Sequence, residues 1–379
     1  MPDNAAWVSA NTDLDGLQRL AVDAPLGIAD LVEAMHRTIT DVPFVSGRAR
    51  GSRTRGITGF VYKSVRGVTR VVGLGTGAIF GSLAPFARDA GSSRQREAVI
   101  AVLNGVLGDR LAATGNPLAI AMSVRNAGVP VAIARAGLAA AYPRHARKVA
   151  VFVHGLCMND LAWSRDGHDH GAALARDLGF TPVYVHYNTG RPIEANGSEL
   201  DALLESLVRE WPVRIDRLVI VGHSMGGLVA RSACDHASRA GRTWTKRLDS
   251  LVFLGTPHLG APLERAGAWV DRLVAVSPYS APLARLGRQR SAGIKDLRHG
   301  RASETRQPLP LPHGIRCYAI AASTGRLRGD GLVPVRSAHG VELPAAQRWV
   351  AGGTGHLELL SSPAVYARMK AWLARRVPR

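Results

Sequence analysis

Gly222-His223-Ser224-Met225-Gly226 is a pentapeptide that follows the apolar run 218–221 and precedes the helix-like segment 228–233. A strand, a sharp turn that carries a serine among small residues, and a helix are expected there in that order. A side chain two positions before or after the serine would crowd so tight a turn, and glycine avoids this. We expect the turn to strain the backbone of Ser224 and to lift its hydroxyl above the edge of a sheet, where a base can reach it.

The pentapeptide alone is weakly specific, because the chain contains 41 glycines and a small-residue turn that closes a strand is the alternative. Its surroundings carry more information. From residue 146 onwards, short apolar runs alternate with helical patterns, which is typical of a parallel sheet with crossover helices. The predicted strands are 149–153, 183–186, 218–221, 251–254, 317–321 and 348–350. The predicted helices are 171–178, 198–211, 228–239 and a last helix that begins at Ser362-Pro363.

Two backbone N–H groups are predicted to face the serine hydroxyl. The first predicted strand ends in His154-Gly155-Leu156, a loop that could equally be a plain strand-ending turn. If Ser224 attacks a carbonyl carbon, the tetrahedral intermediate carries a negative charge and needs fixed donors. We expect the N–H groups of Leu156 and of Met225 to supply them.

An acid and a base are predicted after the serine, in the chain order Ser, Asp, His. Asp330 lies between two glycines after a late predicted strand, although a simple Asp-Gly turn would give the same pattern. His356 lies on the glycine-rich stretch 352–358 before the last predicted helix. We expect His356 to accept the proton of Ser224 and Asp330 to fix the tautomer of His356. The rival histidines fit this order and spacing less well; they are His223, His258, His313 and His339.

The first 145 residues do not show the strand–helix alternation. Helical periodicity predicts amphipathic helices over 28–39 and 99–111. Residues 67–86 include a long uncharged run in which Gly73, Gly77 and Gly81 recur every four positions. Close helix packing within the chain is one interpretation of this run, and peripheral membrane contact or self-association are the others. We place a domain boundary in the basic stretch 143–148, which separates a helical region 1–145 from a second domain 146–379.

The charge of the chain is strongly basic, with a formal net charge of +19, and arginine supplies all but five of the 48 basic residues. The arginines are scattered and no nucleic-acid-binding signature accompanies them, so specific nucleic-acid binding is not expected. Three cysteines, Cys157, Cys234 and Cys317, are far apart and predict no disulfide framework. The first seven residues have no secretory pattern. We therefore expect a cytoplasmic protein, with membrane association as an alternative.

Four motifs in this order resemble the lipase and serine-esterase branch of the α/β-hydrolases, which includes the glycosylphosphatidylinositol inositol-deacylase-like hydrolases. They are Val153-His154-Gly155-Leu156, Gly222-His223-Ser224-Met225-Gly226-Gly227, Gly255-Thr256-Pro257-His258-Leu259-Gly260 and Asp330-Gly331-Leu332-Val333-Pro334. The resemblance covers residues 148–379 and implies an α/β-hydrolase with a mostly parallel central sheet. It also implies a cap insertion, here at 261–312, which is either a lid over an acyl pocket or a set of ordinary surface helices.

The resemblance, together with Ser224, Asp330 and His356, implies a serine carboxylic-ester hydrolase that forms an acyl-enzyme. Such an enzyme acts on a small-molecule ester or a lipid and needs neither a cofactor nor a metal. An acyltransferase or thioesterase with the same three residues is the first alternative. The second is a membrane- or granule-associated protein that uses the domain as a scaffold, since fold alone does not fix function.

Overall fold

The computed structural model describes residue 16 and residues 94–260, 291–303, 309–325, 329–340 and 343–375. The helix predicted over 28–39, the uncharged run 67–86 and most of the predicted cap lie outside these residues. The predictions for these segments therefore stay predictions.

An eight-stranded sheet forms the centre of the domain, in the order β10-β9-β8-β7-β3-β6-β1-β2. Six strands are parallel, as predicted: β3 Lys148–Val153, β6 Thr181–His186, β7 Arg217–His223, β8 Leu248–Leu254, β9 Arg316–Ser323 and β10 Arg348–Gly352. Two short strands, β1 Ser123–Asn126 and β2 Val129–Val131, add an antiparallel edge beside β6. A separate hairpin joins β4 Ser164–Arg165 to β5 His168–Asp169.

Eight helices are present among the described residues. They are α1 Arg94–Ala113, α2 Arg135–Ala141, α3 His170–Leu178, α4 Ile193–Glu210, α5 Met225–Ala240, α6 Ala292–His299, α7 Val335–His339 and α8 Pro363–Ala374. Short 3-10 turns occur at Asp160–Trp163, Trp244–Arg247, Ala345–Gln347 and Glu358–Leu360. Helix α8 begins as predicted, because Ser362 accepts a hydrogen bond from the Val365 N–H and proline occupies the first turn.

Both faces of the sheet are buried, which explains why its central strands are almost continuously apolar. Along β3, Val149, Val151 and Val153 pack into one apolar cluster with residues of α2, α4, α5 and α6. The alternate residues Ala150 and Phe152 pack into a second cluster with residues of α3 and α8. The two-residue alternation of a strand thus divides the core between two helical layers.

The sheet crosses the domain boundary that the sequence predicts near residue 145. Strand β1 pairs with β6, and Val124 and Leu138 belong to the same apolar cluster as the central strands. Helix α1 also packs on this unit: a Cβ added at Gly190 would lie only 2.1 Å from the Asn104 carbonyl oxygen. The hydrolase unit therefore extends back to residue 94, because α1, β1 and β2 complete its packing.

The described end of the predicted cap belongs to the core. Helix α6 lies between residues 261 and 312, and its Ile294 and Leu297 are buried in the cluster beneath α4 and α5. Ser291, the N-cap of α6, also donates a hydrogen bond to the Gly105 carbonyl of α1 at 2.7 Å. This part of the insertion is consistent with a helix packed on the core.

Candidate active site

Ser224 occupies a strained turn between β7 and α5. Its φ of 51° and ψ of −121° lie in a region that a non-glycine residue rarely adopts. The neighbouring glycines make room for the turn. A Cβ added at Gly222 would lie 2.6 Å from the Gly227 Cα, and one at Gly226 would lie 2.1 Å from the Val153 carbonyl oxygen. The crowding predicted from the pentapeptide is therefore present in the structure.

Asp330 and His356 form a buried pair. The Nδ1–H of His356 donates to Oδ2 of Asp330 at 2.7 Å. The other carboxylate oxygen of Asp330 accepts the backbone N–H groups of Leu332 at 2.8 Å and of Val333 at 2.7 Å. Because Nδ1 carries the proton in this arrangement, Nε2 of His356 is left with the lone pair that a general base needs.

The electrostatics of Asp330 favour its charged form. Burial is the largest influence and by itself raises the pKa of Asp330, since a low-dielectric interior disfavours the charge. The charge of His356, its hydrogen bond and the two backbone donors outweigh burial, so the pKa lies below its usual value. Asp330 is thus an anion at neutral pH, suited to stabilising a protonated His356.

The ends of neighbouring parallel strands bring the serine and the histidine to one edge of the sheet. The Ser224 N–H donates to the carbonyl of Leu254 at the end of β8, at 2.8 Å. The next residue, Gly255, lies against the imidazole: a Cβ added there would be 3.0 Å from Cε1 of His356. The Ser224 Oγ and the His356 Nε2 are both buried, and neither has a hydrogen-bond partner in the part of the chain that the structure describes.

The two predicted backbone donors belong to segments next to the serine. The loop after β3 touches it, because a Cβ added at Gly155 would lie 3.1 Å from the Ser224 Cβ. Leu156 follows in that loop, and Met225 is the first residue of α5; both residues are buried. Neither backbone N–H has an acceptor among the described residues. Leu156 and Met225 therefore place two backbone N–H groups close to the serine turn.

The rival histidines are occupied elsewhere. His258 Nδ1 accepts a hydrogen bond from Nη1 of Arg231 at 2.9 Å, and burial, followed by the Arg231 charge, lowers its pKa well below the usual value. His339 donates through Nε2 to the Trp349 carbonyl at 3.1 Å. His313 is exposed. His223 contacts the predicted base: its Nε2 lies 3.1 Å from the carbonyl oxygen of His356.

Helix α1 supports the loop that carries Leu156, which the sequence did not suggest. Cys157 has a positive φ of 60°, and a Cβ added at Gly105 of α1 would lie 2.3 Å from its Sγ. The Cys157 N–H donates to Oγ1 of Thr189 at 3.1 Å. Gly105 and Gly108, three positions apart on a predicted helix, were the only local sign of so close a contact.

No metal ligand set accompanies this site. Within the described ranges, no group of three or more His, Cys, Asp and Glu side chains could hold a metal ion. The same residues include no helix that is both long enough and apolar enough to cross a membrane.

In a comparison with known protein families, residues 148–279 match the family described as a PGAP1-like alpha/beta domain. No curated protein matches the chain. Among solved structures, the mature form of the Bacillus licheniformis lipase BlEst2 is similar, with 21% sequence identity, a TM-score of 0.45, and coverage of 60% of this chain and 92% of that chain. A thermophilic esterase from Thermogutta terrifontis has 17% identity and a TM-score of 0.38, with coverage of 60% and 89%. The Pyrococcus furiosus esterase Pf2001 has 17% identity and a TM-score of 0.37, with coverage of 61% and 82%.

The family match lies on the part of the chain that contains β3, the serine turn and β8. The order of the parallel strands, the helices on both faces and the strained serine at a strand-to-helix turn agree with that match. The predicted fold is confirmed: this chain contains an α/β-hydrolase domain that is similar over residues 148–279 to the PGAP1-like α/β domain family.

Proposed function

We propose that this chain is a serine carboxylic-ester hydrolase in which Ser224 is the nucleophile, His356 the general base and Asp330 its orienting acid. The observation that carries the proposal is the buried Asp330–His356 hydrogen bond beside a strained serine. Among the described residues, the Nε2 lone pair of His356 and the Ser224 hydroxyl then have no hydrogen-bond partner, and both lie at the same edge of the sheet. In unliganded enzymes the serine–histidine hydrogen bond is often long and tightens when substrate binds.

Acylation follows from this geometry. The Ser224 Oγ attacks the ester carbonyl carbon while His356 Nε2 takes the hydroxyl proton, and the carbonyl oxygen becomes an oxyanion. The N–H groups of Leu156 and Met225 stabilise that oxyanion, each by about 3–4 kcal/mol. The tetrahedral intermediate then collapses and expels the alcohol, to which His356 returns the proton. The acid part of the ester remains bonded to Ser224.

Deacylation repeats the same steps with water. His356 removes a proton from the water as its oxygen attacks the acyl carbonyl carbon, and the second intermediate releases the carboxylic acid and restores the Ser224 hydroxyl. Asp330 stays ionised throughout and stabilises the imidazolium of His356. The substrate is a small-molecule ester or a lipid ester. An acyl acceptor other than water would make the enzyme an acyltransferase by the same route.

The proposal is tested by labelling with a fluorophosphonate probe and by hydrolysis of p-nitrophenyl esters of increasing chain length. We expect wild type to be labelled at Ser224 and the Ser224→Ala variant to take no label. Esterase activity should fall by at least about 10⁴-fold in that variant, because the covalent route is lost. The preferred chain length measures the acyl pocket.

Ser232 provides a matched control, since it is a buried serine on α5, the helix that follows Ser224. Ser232→Ala should keep both labelling and activity. Equal labelling of wild type and Ser224→Ala would contradict the proposal, and so would a wild type that neither binds the probe nor hydrolyses any ester of the series.

A further inference from the structure

His223 joins the nucleophile turn to the loop that carries the base. It is the last residue of β7 and is completely buried. Its Nε2 lies 3.1 Å from the backbone carbonyl oxygen of His356, and a carbonyl can only accept, so Nε2 carries the proton and donates. Its Nδ1 is then a bare acceptor that faces the loop after β3, where a Cβ added at Gly155 would lie 3.0 Å away.

The loop that holds His356 needs such an anchor. It follows Gly352 at the end of β10 and contains Gly353 and Gly355, and Gly353 has a φ of 65°. Glycines leave the backbone many conformations, so the sequence of the loop does not fix where its histidine points. Ahead of the base, the Thr354 N–H donates to the carbonyl of Ser323 at 3.2 Å. The hydrogen bond from His223 holds the backbone of His356 itself.

The two imidazoles are also in contact. Their ring centroids are 4.8 Å apart, and the indole of Trp163 meets the His223 ring edge-on at 6.4 Å. The pKa of His223 is lowered to about 3, chiefly by burial and next by the nearby His356. The ring is therefore neutral at neutral pH. A neutral neighbour does not oppose the positive charge that His356 gains when it accepts the serine proton, whereas a cation would.

From this geometry we propose that His223 is a positioning residue for the base. Its Nε2–H holds the His356 carbonyl and its ring supports the His356 imidazole, so that Nε2 of His356 stays aimed at the Ser224 hydroxyl. The inference rests on the proposed ester-hydrolase function. It adds His223 to the side chains of Ser224, Asp330 and His356, as a residue that acts through the base and does not touch the substrate. The donor role can be tested in the absence of the ring, because glutamine keeps a donor while it removes the imidazole.

A pair of amide variants separates the hydrogen bond from general effects of substitution. Glutamine places its amide nitrogen near the position of the His223 Nε2, whereas asparagine, one methylene shorter, does not reach the His356 carbonyl. We expect His223→Asn to lower kcat by about 10- to 100-fold, the cost of a slightly misplaced base, with KM unchanged within about threefold. His223→Gln should recover kcat to within about fivefold of wild type.

The control is His339→Leu, which removes another hydrogen bond from a histidine Nε2–H to a backbone carbonyl, that of Trp349, also at 3.1 Å. It should leave kcat within about twofold. All rates are divided by the number of sites that the fluorophosphonate probe labels at completion, so that misfolded protein does not count as a slow enzyme. His223→Leu provides a third variant without any donor and should match His223→Asn.

The outcomes distinguish the two proposals. If wild type is labelled and active but the Asn and Gln variants have equal kcat per labelled site, the positioning role is refuted while the ester-hydrolase function stands. The same holds if the variants change KM and leave kcat unchanged. If wild type is neither labelled nor active, the proposed function fails and the role of His223 fails with it.

Discussion

Ser224 combines a strained backbone with a buried hydroxyl that has no hydrogen-bond partner among the described residues. Individual neighbours make this arrangement possible. Gly222 and Gly226 leave the space in which the turn closes, and Gly255 leaves the space in which the His356 ring lies. Asp330 contributes a charge where burial alone would neutralise it. The local strain is maintained because the surrounding strands fix both sides of the turn.

The carboxylate of Asp330 provides a test of how a single residue orients His356. In an Asp330→Asn variant, the amide oxygen can still accept the Leu332 and Val333 N–H groups, so the loop should stay folded. The amide nitrogen then faces Nδ1 of His356 as a donor, which forces the proton onto Nε2 and removes the base. We expect kcat to fall by about 10⁴-fold with little change in melting temperature. Activity within tenfold of wild type would show that Asp330 does not orient the base.

Helix α1 packs closely on the domain that contains the serine turn. It lies before the predicted domain boundary, yet it packs against the loops that follow β3 and β6. Its backbone meets the loop at Gly190 so closely that no side chain fits between them. The Nδ2 of Asn188 stabilises the same contact by donating a hydrogen bond to the Gly108 carbonyl at 2.9 Å.

A Gly190→Ala variant tests this contact. The added methyl group would lie 2.1 Å from the carbonyl oxygen of Asn104 and 2.7 Å from the backbone nitrogen of Gly108, so the helix and the loop must separate. We expect the free energy of unfolding to fall by about 1–3 kcal/mol or more, measured by urea denaturation. Gly352→Ala is the matched control, because a Cβ there meets nothing within 4 Å. Equal stability of the two variants would rule out close packing of α1.

Buried histidines couple the stability of the whole molecule to pH. Burial is the main cause that lowers the pKa of His154 and of His170 to about 4, of His223 to about 3 and of His186 to about 2. The ordinary value, which applies to the unfolded chain, is about 6.5. Below that pH these histidines bind protons in the unfolded chain but stay neutral in the folded protein. The stability conferred by the neutral rings is therefore complete above about pH 6.5 and is lost progressively as the pH falls towards 4.

The predicted acid sensitivity is steep, because each such histidine contributes up to about 1.4 kcal/mol of unfolding free energy per pH unit. Urea denaturation at pH 7.5, 6.5, 5.5 and 4.5 measures the slope. His170→Gln, which keeps a side-chain donor for the Leu359 carbonyl, should reduce the slope by about one histidine's share. A flat profile between pH 6.5 and 4.5 would contradict the prediction.

The sequence by itself determined the six parallel strands, the serine turn and the chain order of Ser224, Asp330 and His356. These features are written in local patterns: apolar runs long enough for buried strands, and glycines at fixed offsets from a serine. Strands β1 and β2 were missed because they are short, and β2 contains Pro130, which weakens any strand pattern.

Only the tertiary structure decided which residues meet. The Asp330–His356 hydrogen bond, the contact of His223 with the His356 carbonyl and the docking of α1 each join parts of the chain that no local pattern links. For the same reason no local pattern showed that residues before 145 join the sheet and its core, since Val124 and Leu138 show their role only once they are packed beneath the sheet. Contacts between distant segments depend on how completed strands and helices pack, and a one-dimensional pattern does not contain that information.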